Sequence, residues 1–358
     1  MDADDPVPGF HRIPCPATQR IDGKAVTMER SMKNGSVTLF FLVLLLLPLV
    51  NGDSYVRHIS IIAIMYAVLV SSWNISLGYG GVFNFAHMAF FAVGAYATGI
   101  LTKTFGFSAW WGMPIGIAAS VAASVLVCLP VLRLKGIYVI LVTFAFGQLC
   151  LQIVLNQREL TGGNFGLVSI PPLEIGGFSF RDYQNAGYYY LALAILAVTV
   201  AAVSWFARSR FGWRVLALRD NEPYAVSRGV PLARTRLATF AFSAIFPGAI
   251  GAVYAQYVRS ASPDMFGFSF LTLALSMLLL GGTGTIWGPI AGAFVFTVLS
   301  ELMAPLGPGR YLVTAVLIVL ILRFFPRGLA GIPEFVAAQF KSARRTAKKS
   351  AITTGEVR

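Results

Sequence analysis

Two groups of polar residues in this chain follow glycine-rich interruptions of otherwise apolar sequence. Asn84 and His87 come after Gly78-Tyr79-Gly80-Gly81, and Thr283, Thr285 and Trp287 lie within the glycine-rich stretch 281–288. A helix broken inside a membrane frees backbone N–H groups and a positive helix end, and both suit a substrate carboxylate. Amide, imidazole, hydroxyl and indole groups beside such breaks would then line a pathway. Asn84 and His87 also admit a second reading, an interhelical hydrogen bond, worth about 0.6 kcal/mol on average.

A third group is Glu222-Pro223-Tyr224-Ala225, with Gly229 four residues beyond Ala225. Pro223 suits the first turn of a helix, where its missing N–H costs little. Glu222 beside it favours the positive helix end, and Gly229 suits the stop. The spacing therefore predicts a short helix over 223–228. On a helix, Ala225 and Gly229 would share one face and leave a smooth strip for close approach.

Catalytic constellations are missing from the sequence. It has no Gly-x-x-x-x-Gly-Lys-[Ser/Thr] phosphate loop and no Gly-x-Ser-x-Gly elbow. Its three histidines, His11, His58 and His87, are far apart, so no metal-ligand pattern arises. The expectation is a protein with no catalytic residues, no metal and no bound cofactor. Cys15, Cys128 and Cys150 are odd in number, which argues against a disulfide framework.

What positions these groups must be helices in a bilayer. The chain has 358 residues, 56% hydrophobic and only 12% charged, about half the charge of a soluble domain. No Asp, Glu, Lys or Arg occurs in 58–102, 104–132, 136–157, 183–207, 237–258 or 265–300. A spanning helix needs about 20 mostly apolar residues. These continuous runs differ from the short alternating strands of a membrane barrel. The expectation is an all-α integral membrane protein with about ten spans, eight to ten in range. The candidates are 37–52, 58–77, 84–102, 110–131, 137–156, 187–207, 236–258, 268–281, 286–303 and 311–325. The first and eighth are short.

The basic excess, 28 Lys and Arg against 15 Asp and Glu, reads as topology rather than nucleic-acid binding. Seven arginines against two acids fill 208–236, eight basic residues against two acids follow from position 323, and Arg133 and Lys135 flank a tight loop. The 156–187 loop holds two basic and three acidic residues. Ten spans with both termini cytoplasmic put every basic segment inside and the 156–187 loop outside. Residues 1–36 then form a cytoplasmic arm, 37–332 the transmembrane domain and 333–358 a basic tail that contacts acidic headgroups.

Four stretches carry a resemblance. The first is Gly78-Tyr79-Gly80-Gly81-Val82-Phe83-Asn84-Phe85-Ala86-His87, followed by Gly94-Ala95-Tyr96. The second is Leu132-Arg133-Leu134-Lys135-Gly136-Ile137-Tyr138, and the third Thr161-Gly162-Gly163-Asn164-Phe165-Gly166-Leu167. The fourth runs from Ser209-Arg210-Phe211-Gly212 through Arg219-Asp220-Asn221-Glu222 to Gly229, then to Gly281-Gly282-Thr283-Gly284-Thr285-Ile286-Trp287-Gly288-Pro289 and Phe325-Pro326-Arg327-Gly328-Leu329. Over about 55–332, their order and spacing resemble the permease subunits of branched-chain amino-acid ABC importers, the LivM-like partner of the pair. The Asn84-Phe85-Ala86-His87 form is nearer to the sister LivH-like permease.

The resemblance implies a bacterial inner-membrane subunit with ABC importer permease architecture. It also implies a second homologous permease, two ABC ATPase subunits that use the ATP, an extracytoplasmic solute-binding protein, and no nucleic acid. It places the ATPase-coupling element at Glu222, Pro223, Tyr224, Ala225 and Gly229, where Pro223-Tyr224 departs from the small apolar residues usual there. A basic loop facing anionic lipid is the other reading of that segment. The stretch 161–167 is either a glycine-rich turn or a receiver for the binding protein. Related systems move urea, short amides or aromatic acids. Outside that class, a stand-alone secondary transporter or channel remains an alternative, although Glu301, close to a span end, is the only acid deep in a hydrophobic region.

Overall fold

The computed structural model describes residues 41–46, 53–175 and 178–307, with single positions 309, 316, 323, 328 and 329. The chain divides into two units, Met1–Val50 and Asn51–Arg358. Of the first, the described residues 41–46 are helical.

The second unit is built of helices. Over the described residues of 53–307 they are α1 (Ser54–Asn74), α2 (His87–Lys103), α3 (Ala109–Val131), α4 (Ile137–Asn156), the single turn α5 (Arg158–Thr161), α6 (Asp182–Arg208), α7 (Arg210–Asp220), α8 (Glu222–Ser227), α9 (Leu232–Val258), α10 (Phe268–Gly281) and α11 (Trp287–Leu302). Capping side chains set several starts. Asp53 Oδ1 accepts from Tyr55 N at the head of α1, Ser209 Oγ from Gly212 N at α7, and Asn221 Oδ1 from Tyr224 N at α8. Two-residue strands pair in the loops: β1 (Leu167–Val168) with β4 (Ser260–Ala261), and β2 (Glu174–Ile175) with β3 (Phe178–Ser179).

Among the described residues, five helices are long and apolar enough to cross a membrane: Ser54–Tyr79, Ala109–Val131, Ile137–Asn156, Asn185–Arg208 and Leu232–Val258. The other described candidates, 84–102, 268–281 and 286–303, form the shorter helices α2, α10 and α11 of 17, 14 and 16 residues, so ten full spans are not confirmed among the described residues. At 1.5 Å per residue, α10 reaches only about 21 Å and α11 about 24 Å, against a hydrocarbon core of about 30 Å. Together they pack as a short hairpin. Candidates 37–52 and 311–325 lie outside the described residues, apart from 41–46 and single positions.

Close packing centres on α2, α3 and α9. A Cβ on Gly94 would lie 2.6 Å from the Gly248 carbonyl, and one on Gly251 would lie 2.2 Å from that of Phe91. Only glycine permits such approach of helix backbones. Hydroxyls then bridge the contacts: Ser120 Oγ donates to Phe90 O at 2.7 Å, and Thr98 Oγ1 to Gly112 O at 2.9 Å. On α11, Gly288 and Gly292 are buried while Ala291 faces outward, so the packing seam uses the two glycines and not Ala291.

The loops sort to two ends of the bundle. At one end, Lys135 and Arg236 both pair with Glu222, at 3.5 and 2.6 Å. The two basic segments thus share an end. At the other end, β1 pairs with β4, and Trp110 Nε1 donates to Glu174 O at 3.1 Å. Tyr55 OH donates to the Glu301 carboxylate there as well, so the one acid deep in apolar sequence is hydrogen-bonded to a tyrosine.

Candidate functional site

The break after α1 is a π-helical turn, Ile75–Tyr79, of the kind often found at functional sites. Gly78 sits inside it. A Cβ there would lie 1.9 Å from Asn74 Oδ1 and 2.5 Å from Gly284 N. The wider turn frees Asn74 to reach sideways. Its Oδ1 accepts from Gly284 N at 2.8 Å, and its Nδ2 donates to Thr285 O at 2.7 Å. One buried amide therefore clamps the second break onto the first.

The second break is held internally too. Thr285 Oγ1 accepts from Gly288 N at 3.1 Å, capping the start of α11. A Cβ on Gly281 would lie 2.0 Å from Gly288 O, and one on Gly328 would lie 2.6 Å from Gly282 N. Both glycine-rich stretches are thus close approaches of backbone. Thr283 is exposed at the crest of the turn, while Thr285 and Trp287 are half-buried.

Asn84 and His87 are fully enclosed. Asn84 Oδ1 accepts from Ala86 N at 3.0 Å, ahead of α2. His87 stacks on Trp73, centroids 5.8 Å apart and planes 5° from parallel. Ser72 Oγ donates to Leu69 O at 2.7 Å, which leaves it to accept from His87 Nε2 at 3.0 Å. The geometry follows the interhelical reading for His87, since Ser72 lies on α1. Among the described residues, Asn84 Nδ2 and His87 Nδ1 have no partner. The chain does not bring these two residues to Thr283, Thr285 and Trp287. Segment 72–74 of α1 lies between, with Ser72 and Trp73 turned to His87 and Asn74 to the 281–288 turn.

Helix α8 forms where the spacing of Pro223 and Gly229 predicted it, one residue earlier. Gly229, at φ +87°, follows the helix rather than continuing it. The smooth-strip expectation is corrected. Ala225 is buried at 3% exposure, packed into this chain, and Gly229 is off the helix with open space around it. Pro223, Tyr224, Val226 and Ser227 face outward, and the large side chains among them, Tyr224 and Val226, are 58% and 44% exposed. Arg228 lies over the Tyr224 ring at 5.4 Å and donates to its hydroxyl.

Arg219, at the end of α7, links the two regions. Its Nη1 donates to Gly78 O at 2.9 Å, and its Nη2 pairs with Asp220 at 3.0 Å. Gly81, at φ +65°, leaves room for the arginine stem, because a Cβ there would meet Arg219 Cγ at 2.5 Å. A continuous path therefore runs from α8 through Arg219 and the π-turn to Asn74 and the 281–288 turn. Sequence reasoning assigned no role to Asn74, Ser72 or Arg219. Asn74 had a signal, an amide inside a charge-free run four residues before Gly78. Arg219 had only its place in a quoted motif.

The stretch 161–167 is a glycine-rich turn. Gly162, Gly163 and Gly166 all have positive φ. A Cβ on Gly166 would lie 2.2 Å from Ala261 O. Phe165 stands 90% exposed on the crest. Among the described residues, no group of three His, Cys, Asp or Glu could hold a metal ion.

Apolar helices, paired glycine breaks and a buried polar clamp define a multi-pass membrane protein of the permease type. The family described as branched-chain amino acid transport system / permease component matches residues 55–322, and the chain belongs to that family. It is 29% identical over 292 residues to the high-affinity branched-chain amino acid transport system permease protein LivM of Salmonella typhimurium, covering 76% of this chain and 69% of the relative. It is 24% identical to a probable LivM of Methanocaldococcus jannaschii over 75% of this chain and 91% of that one. The LivH permease of Salmonella typhimurium matches at 25%, over 75% and 92%. No solved structure matches the chain.

Proposed function

We propose that this chain is the LivM-type subunit of an ABC importer for branched-chain or other hydrophobic amino acids in a bacterial inner membrane. Both termini and the basic segments face the cytoplasm. A second homologous permease completes the pathway, and two separate ATPase subunits supply the energy, so this chain needs no cofactor of its own. An extracytoplasmic solute-binding protein delivers substrate, with Phe165 a ready contact.

The observation that supports this most directly is the Arg219–Gly78 hydrogen bond. It joins the segment around α8, where an ATPase would dock on Tyr224 and Val226, to the clamped helix breaks. A movement of α8 would thereby reach Asn74 and the 281–288 turn without any chemistry in this chain. Family membership supports the amino-acid substrate, since the matched LivM and LivH relatives are branched-chain permeases by name. The test is reconstitution of the full complex in proteoliposomes. ATP-dependent leucine uptake that disappears when the ATPase subunits are omitted is the expected result. Leucine flux that proceeds without them, driven by an ion gradient, would instead identify a stand-alone transporter.

A further inference from the structure

The outward faces of the spanning helices differ in kind. Those of α3 and α6 are apolar, as Trp111, Leu126, Val198 and Trp205 illustrate, and so is that of the shorter α11 at Val295 and Val298. Helix α4 is the least buried of the five spanning helices, yet it carries Gln152 exposed and Gln148 half-buried. Neither amide bonds to another described residue. Gln148 is twelfth of twenty residues in α4, near mid-helix, where an unpartnered amide in lipid is costly.

The flank these amides occupy can be located. At about 100° per residue, Phe144, Gln148 and Gln152 fall on one side of α4 and Val142 and Phe146 on the other. Val142 and Phe146 pack on the buried cluster that includes Val127, Cys128 and Val131 of α3. Phe144 instead meets Phe268 of α10 edge-on, centroids 6.2 Å apart. On α10, Thr272 and Ser276 lie one and two turns from Phe268 on the same side. Thr272 is exposed, and its hydroxyl is tied back to Phe268 O at 2.8 Å. Because α4 and α10 run in opposite directions, the order in depth is Gln152, Gln148, the Phe144–Phe268 pair, Thr272, Ser276, then the 281–288 turn with exposed Thr283.

Resting on the two-permease reading above, we propose that this seam is one wall of the substrate pathway, closed from the opposite side by the second permease subunit. The Gln148 and Gln152 amides receive the polar end of the amino acid on the outer side. The Phe144–Phe268 pair is the apolar constriction below them, and Thr272 and Ser276 receive the substrate beyond it. An alternation of amide, aromatic and hydroxyl along one seam fits a zwitterion with an apolar side chain.

The test uses the full complex in proteoliposomes, with Cys15, Cys128 and Cys150 replaced by alanine. Single Gln148→Cys, Gln152→Cys and Ala145→Cys variants, and the lipid-face controls Leu126→Cys and Val198→Cys, are first checked for ATP-driven leucine uptake and then treated with a membrane-impermeant cationic methanethiosulfonate. A thiol held in hydrocarbon stays protonated and inert, so the α4 positions should react at least about tenfold faster than the controls, and saturating leucine should slow them. A photo-crosslinker at Gln152 should capture the second permease. If Gln148→Cys does not assemble, Ala145→Cys and Gln152→Cys carry the comparison. Equal rates at all sites with lipid-only capture would overturn the wall while ATP-driven uptake left the subunit assignment standing. Failure of the native complex to couple uptake to ATP would overturn that assignment, and the pathway with it.

Discussion

The Arg219 guanidinium donates to the carbonyl of Gly78 at 2.9 Å, across 141 residues of sequence. That carbonyl belongs to the π-turn that frees Asn74 to clamp the 281–288 turn. One cation at the basic end of the bundle is thus in direct contact with the segment that organises both helix breaks.

If that contact transmits motion, replacing Arg219 with alanine should uncouple rather than unfold. Hydrogen bonds from charged donors contribute about 1.5–3 kcal/mol, and partial exposure lowers this, so a roughly tenfold fall in ATP-driven uptake is expected. ATPase binding should persist in co-purification. Arg219→Lys, which keeps the charge but shortens the reach, should recover only part of the uptake. Uptake unchanged in Arg219→Ala would show that coupling travels elsewhere.

Asn74→Ala should lower stability first. It leaves Gly284 N and Thr285 O without partners, and each buried orphan costs about 1–3 kcal/mol. The shift is about 2–4 °C per kcal/mol for 150–250 residues and smaller for a longer chain, so tryptophan fluorescence in detergent should report a fall of a few degrees. Ser72→Ala, which removes the acceptor for His87 Nε2 and a donor to Leu69 O, a carbonyl inside helix α1, should cost less. Equal melting temperatures for native and Asn74→Ala protein would mean the clamp is dispensable.

Two glycines at opposite extremes of crowding should behave differently when made alanine. Gly78→Ala puts a Cβ 1.9 Å from Asn74 Oδ1 and 2.5 Å from Gly284 N. The clash should cost about 3 kcal/mol or more and sharply reduce the yield of assembled protein. Gly229→Ala meets nothing within 4 Å and carries only the penalty of its positive φ, about 1–2 kcal/mol. Comparable yields of the two variants would contradict the packing.

The Glu222–Arg236 pair at 2.6 Å fixes α8 to the start of α9. Both side chains are largely covered, so the pair should exceed the exposed Lys135–Glu222 contact in value. Arg236→Glu and Glu222→Arg should each weaken ATPase co-purification, and the double swap should restore much of it. A double-mutant cycle coupling of about 1 kcal/mol is expected. A swap no better than the single variants would separate α8 placement from this pair.

The class of protein was legible from local sequence. Long continuous charge-free runs suit helices in lipid, and this gave α1, α2, α3, α4, α6, α9, α10 and α11 with ends close to those observed. The helix α8 was readable because Pro223 and Gly229 impose their backbone preferences regardless of context. The grouping of basic loops at one end followed from their charge alone. Motif order identified the family because spacing of glycines and polar residues survives where single motifs do not discriminate.

Tertiary structure decided what no local rule encodes. Ala225 and Gly229 looked like one helical face, but the helix stops before Gly229 and Ala225 turns inward, leaving Tyr224 and Val226 outside. Asn84 and His87 stood beside a break as Thr283 and Thr285 did, yet α1 passes between the two groups. Asn74 and Arg219 matter only because chain reversal brings residues more than 140 positions apart within hydrogen-bond reach. Sequence period tells which residues share a helix face. It does not tell which neighbour that face meets, and hydrogen bonds between distant segments depend on that choice.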